Sequence, residues 1–200
     1  MTNLSMSLVN ALYNLQLMKI AGENGVAAYG AVMYVNFIFV ATFLGYAIGC
    51  APVISYHYGA GNHAELKNLY KKVCLSYVVW GVILFGAAQL LAPVLSKIFV
   101  GYNTGLYAMT LHGFRVYAIA FLIIGINIFG SSFFTALNNG LISAVISFLR
   151  TLMFQVIMVL TLPLWFGING IWSAIGVAEA LTLIMTTTFF VRQKDKYHYL

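Results

Sequence analysis

Two charged side chains stand deep inside apolar sequence, Arg150 and Glu179, and they are the first candidates for chemistry. A charge within a bilayer is costly, so such a residue marks a partner, an ion path or a ligand site. Counted from the turn signal Gly167-Ile168-Asn169-Gly170, Arg150 lies about 16 residues back and Glu179 about 11 forward, roughly 25 and 16 Å of helical rise. A long arginine side chain or a bridging water spans that difference, which predicts that the two couple across adjacent helices. Three roles stand open for Glu179: carrier of a proton or cation, attractor of a cationic substrate, or structural partner of Arg150.

Uncharged polar residues repeat at helical spacing. Asn3, Ser7, Asn10 and Asn14 fall on one helix face, and so do Asn127, Ser131 and Thr135. Lipid does not accept such stripes, so each faces other helices or a water-filled cavity. Helix–helix hydrogen bonding and cavity lining both fit. The candidate cavity residues are Asn10, Asn14, Tyr34, Asn127 and Gln155, with Met33 as an adaptable apolar contact. Catalysis would need paired acids, a Ser/Lys or Ser/His pair, or metal ligands at a common depth, and none is visible. The histidines have no ligand-like spacing with acids, and Cys50 and Cys74 both lie in apolar stretches. The expectation is therefore no enzyme, no catalytic residue, no metal site and no bound cofactor.

The elements that must hold these residues follow from composition. Of 200 residues, 62% are hydrophobic and only 7% charged, with a mean hydropathy of +0.92. A soluble domain carries about 25% charged residues, so the chain is an all-α polytopic membrane protein. Its net charge of +6 is too sparse for a nucleic-acid surface, and its cations gather near span ends. The first apolar run lacks a basic leader and a small-residue cleavage site, so it is a helix rather than a signal peptide.

Six spans are predicted in one bundle over residues 1–200, at about 4–20, 26–58, 73–91, 107–137, 141–166 and 171–191. Glu23-Asn24-Gly25 makes the first turn, and Pro52 invites a kink. Ala41, Gly45 and Gly49 share a face that would let a neighbouring backbone approach. Gly59–Asn62 ends the second span, and Asn62 with Glu65 forms a capping box that opens a basic helix. Pro93 ends span three, leaving 94–106 as the longest connection, and Asn138-Asn139-Gly140 turns the chain again. An even span count puts both termini on one side. Lys67, Lys71, Lys72, Arg192, Lys194 and Lys196 mark that side as cytoplasmic, in a cytoplasmic membrane.

Several ordered segments carry a family resemblance. PVISYHYGAGNHAELK (Pro52–Lys67) resembles the turn after the second helix of the C-terminal half in the multidrug and toxic compound extrusion (MATE) family. FRVYAIAFLIIGINIFGSSFFTALNNG (Phe114–Gly140), SFLR (Ser147–Arg150), LPLWFGINGIWSA (Leu162–Ala174) and Ala178-Glu179 match the same half in order and spacing. The resemblance implies half of a twelve-helix antiporter, a fragment whose six-helix first bundle is its missing partner. It implies a secondary exporter of cationic or amphipathic drugs, driven by H+ or Na+ through alternating access. Sodium-coupled members carry acids in the helices corresponding to spans one and four. Here Asn10, Asn14 and Asn127 stand in those spans instead. The related alternative is a flippase of lipid-linked saccharides. A pyrophosphate would call for several cavity cations, and Arg150 is nearly alone.

Overall fold

The computed structural model describes residues 2–200, with side chains from Ser5 onward. Helices make up almost all of it, as a bilayer requires of a chain whose backbone polar groups must pair within each segment. Helix α1 (Thr2–Gly59) is two arms, because Gly22 at φ 63° and ψ −153° breaks the helical path. Across that break Tyr13 stacks on Tyr29 with centroids 5.1 Å apart, and the Tyr29 hydroxyl donates to Asn10 Oδ1 at 2.9 Å. On an unbroken helix Tyr13 and Tyr29 would be ~24 Å apart. The chain therefore folds back at Gly22, and the expected turn at Glu23-Asn24-Gly25 is helical. A positive φ that only glycine adopts cheaply outweighed the stronger polar turn signal next to it.

The remaining elements are α2 (His63–Val100), α3 (Thr104–Ala118), α4 (Phe121–Ala136), α5 (Gly140–Phe148), a π-helical turn (Leu149–Met153), α6 (Phe154–Phe166) and α7 (Ile168–Tyr197). Three reversals are opened by asparagine N-caps. Asn62 accepts from the Glu65 N–H, Asn103 from Gly105 and Leu106, and Asn139 from Ile142. The capping box is only half made, since the Glu65 carboxylate accepts from Asn68 Nδ2 instead. The last reversal uses Gly167 at φ 54°.

One proline behaves differently from its sequence reading. Pro93 does not end α2, which continues to Val100, so the long connection shrinks to residues 101–103. Pro52 leaves α1 helical around it. Proline inside a membrane helix is tolerated when local adjustment accommodates the freed carbonyl. A 47° bend instead separates α3 from α4, where neither residue type occurs. There Ile119 N–H turns to Val116 O, and the Arg115 carbonyl accepts from Gln89 Nε2 of α2 at 3.0 Å. An otherwise lipid-compatible helix thus spends its one mid-span amide on supporting the bend.

Helix α4 is the hub, packed against α1, α2, α5 and α7. The expected close approach at Ala41, Gly45 and Gly49 does not occur within this chain. A Cβ added to Gly45 or Gly49 would meet nothing within 4 Å. Backbones come together instead where Gly81 of α2 faces α4, with a Cβ there 3.1 Å from Phe121 O. At the other end of α4, Phe133 and Phe134 join Tyr70, Phe190 and Tyr199 in a sealed aromatic cluster. The tail beyond α7 folds in rather than trailing away: Tyr199 donates its hydroxyl to Phe190 O at 2.8 Å.

Candidate functional site: an intramembrane cavity beside an ion pair

A cavity of about 670 Å³ opens between the two arms of α1, α4, the α5–α6 span and α7. Such a volume suits a drug-sized ligand. Its wall is mostly apolar, with Met33, Phe37, Val40, Leu44, Ile124 and Ile128 as representatives. Polar groups concentrate on one side, where Asn10, Arg150, Gln155 and Glu179 converge.

Arg150 reaches this wall from the π-helical turn. There the Phe154 N–H bonds to Leu149 O, one residue further back than in an α-helix. The extra residue widens the turn, a distortion frequent at functional sites. Arg150 Nε donates to Glu179 Oε1 at 2.9 Å and to Oε2 at 3.2 Å. Asn127, fully buried on α4, donates Nδ2 to Glu179 Oε2 at 2.7 Å and to the Glu179 carbonyl at 2.9 Å. The carboxylate is thus held from two helices, and its side chain is 2% exposed against 17% for Arg150. Pairing with good geometry is what makes an intramembrane charge tolerable.

The sequence-derived candidates divide. Asn10, Met33, Gln155, Arg150 and Glu179 come together on the cavity wall. Asn14 does not join them and lies exposed on the outer side of its arm. Four residues carry a helix about 40° past one turn, so a stripe at that spacing drifts off a narrow wall. Tyr34 is also outside, 66% exposed and stacked on Phe99 at 6.0 Å. Its neighbour Met33 faces in because adjacent helical residues point about 100° apart. Asn127 does not line the cavity either; it stands behind the wall and fixes Glu179. Ser131 of the same stripe does both: it lines the cavity, and its Oγ joins helices through Ser143 Oγ and Ser147 Oγ at 3.0 and 2.6 Å. The side chain of Asn3 lies outside the described residues.

Several wall residues escaped the sequence reading. Tyr13 donates its hydroxyl to Gln155 Oε1 at 3.1 Å, Tyr29 donates to Asn10, and Tyr117 completes an aromatic backing. Asn36 also lines the cavity, with its Oδ1 buried and unpartnered. A tyrosine in a membrane helix carries no sequence mark that separates packing from lining. The turn between the first two spans was expected, but not that its hinge at Gly22 sets Tyr13 directly beside Tyr29.

Comparison with known proteins places this geometry. The MatE family matches residues 1–161 of the chain. None of the curated proteins matches it. Among solved structures, MATE in the straight conformation gives a TM-score of 0.89 at 19% identity, over 100% of this chain and 45% of that one. An outward-facing multidrug resistance MATE family transporter of the MOP superfamily gives 0.88 at 20% identity, over 98% and 44%. A MOP superfamily transporter from Pyrococcus furiosus, whose binding pocket of reverse polarity suggests a different function, gives 0.86 at 20%, over 96% and 43%. At these identities the likeness is one of fold. The chain spans under half the length of the transporters it matches.

Proposed function

This chain belongs to the MatE family, and on that premise we propose that it is one six-helix lobe of a secondary antiporter that exports amphipathic small molecules. The observation that carries this reading is the half-open cavity with an ion pair in its wall. A chamber between bundles, opened alternately to either side, is how transporters of two related halves move a substrate. Export is driven by H+ or Na+, and among the described residues Glu179 is the one acid on the cavity wall. The lysine and arginine clusters at the Asn62 turn and the α7 tail support termini on the cytoplasmic face of a cytoplasmic membrane. Among the described residues Arg150 is the only cation on the cavity wall, which favours this reading over a flippase that must hold a pyrophosphate.

The test is dye efflux from cells expressing this chain alone or together with a matching first bundle. Efflux is expected from the pair and not from the chain alone. No efflux from an expressed, membrane-inserted pair, for any of a panel of amphipathic dyes, would contradict the assignment.

A further inference from the structure

We propose that the polar wall of this cavity selects an anionic or strongly accepting head group rather than a cation, with Arg150 as the contact that reads it. The inference rests on the cavity being a substrate chamber. Among the described residues Arg150 and Glu179 are the only charged ones lining it, but they are not equally available. Both carboxylate oxygens of Glu179 are already engaged, Oε1 by Arg150 and Oε2 by Arg150 and Asn127, and the side chain is 2% exposed. Arg150 spends only its Nε on that pair. Among the described residues its two terminal nitrogens make no hydrogen bond, and they are not among the buried unpaired atoms. What the cavity meets is therefore the open end of the guanidinium fork.

The neutral polar groups point the same way. Tyr13 and Tyr29 donate into the side-chain oxygens of Gln155 and Asn10, which occupies one lone pair on each. The amide nitrogens of Gln155 and Asn10 have no partner among the described residues and are not sealed. Each is an unspent donor. The exceptions are Asn36, whose unpartnered oxygen is itself buried and uncharged, and the hydroxyls of Ser131, Ser132, Ser147 and Thr151, which serve as donor or acceptor alike. A wall whose free charge is a donor and whose carboxylate is already engaged complements a carboxylate, sulfonate or phosphate, for which a planar fork gives paired, charge-assisted bonds. Glu179 behind the fork offsets much of its positive field. The grip then comes from directed hydrogen bonds more than from bare charge, which suits a site that must also release. The apolar remainder of the wall takes the body of the ligand.

Fluorescence titration of the purified chain in maltoside micelles, corrected for protein-free micelles, tests this with probes that differ in one group. Anilinonaphthalene sulfonate carries the anion, N-phenylnaphthylamine is its neutral counterpart, and ethidium is the cation. The sulfonate is expected to bind most tightly. Arg150→Gln should lower its affinity about tenfold while changing the neutral probe far less. Arg150→Lys should recover part of the loss, because charge returns without the fork. Should Arg150→Gln fail to fold, Glu179→Gln removes the offsetting charge and is expected to tighten the sulfonate. Ethidium binding best, and weakening in Glu179→Gln, would overturn the proposal. Ala41→Trp, which fills the cavity, separates the two levels of failure. If it leaves the neutral probe bound, the chamber reading itself falls. If it expels the neutral probe yet the sulfonate has no advantage over it, only the charge inference falls.

Discussion

Asn127 and Phe129 are near neighbours on α4, yet they serve opposite regions. Asn127 backs the polar wall, where groups are held by a few directed bonds and part of the surface stays open. Phe129 belongs to the aromatic end, where rings pack against one another at tilted angles and little is left accessible. Phe133 and Tyr199 there lie 4.8 Å apart at 83°. Helix–helix attraction in lipid comes from packing and hydrogen bonds rather than from water exclusion. The aromatic end uses the first and the cavity wall the second. One helix can therefore anchor a sealed end and also back a cavity wall that is left partly open.

Mutations should separate the two regions, and the largest effect is expected in the sealed one. Phe133→Ala should cost about 3 kcal/mol in reversible unfolding, the low end for such a change because lipid rather than water is the alternative surrounding. Probe affinity in the cavity should stay within about twofold, a difference of ~0.4 kcal/mol. A large loss of affinity would mean that the regions are not independent. Next comes Glu179→Ala, which leaves Arg150 unpaired. It should cost about 2 kcal/mol, less than a fully enclosed pair, because Arg150 keeps access to the cavity. Unlike Phe133→Ala, it should also change the charge preference of the probes.

Tyr199→Phe isolates one bond of the sealed end. Losing the donation to Phe190 O should destabilise by about 1 kcal/mol in thermal denaturation with no effect on ligands. The smallest effect is expected for Tyr34→Ala. Tyr34 lies outside the cavity, so probe affinity and stability should each move by less than about 0.5 kcal/mol. A marked loss of affinity would place it in the chamber after all.

The sealed region and the cavity were not equally legible in the sequence. Arg150 and Glu179 were visible because a charge in apolar sequence must be answered, and counting residues from one turn put them within reach. The stripe with Asn127 was visible too, but its two possible uses were not separable, since a hydrogen bond to another helix and a cavity face need the same spacing. Asn10 and Asn14 share a stripe and part company because the wall is narrower than the stripe's drift. The reversal between the first two spans was legible, but its hinge at Gly22 was masked by the stronger polar signal of Glu23-Asn24-Gly25, and the pairing of Tyr13 with Tyr29 was not readable. The bend supported by Gln89 carries no proline or glycine and was not readable at all. The tail looked merely basic. Its anchoring depends on Tyr197 and Tyr199 finding Asn139 and Phe190, contacts set by the bundle as a whole.

The most direct test of the cavity's sign is the reaction of a thiol placed in it. With Cys50 and Cys74 replaced by serine, Thr151→Cys puts a thiol on the wall beside Arg150. A negatively charged sulfonatoethyl methanethiosulfonate should modify it faster than the positively charged trimethylammonioethyl reagent, relative to the same pair at an exposed control in the 101–103 connection such as Tyr102→Cys. Adding Arg150→Gln should remove that preference. A faster cationic reagent at Thr151→Cys would show that Glu179, not Arg150, is the charge the cavity presents.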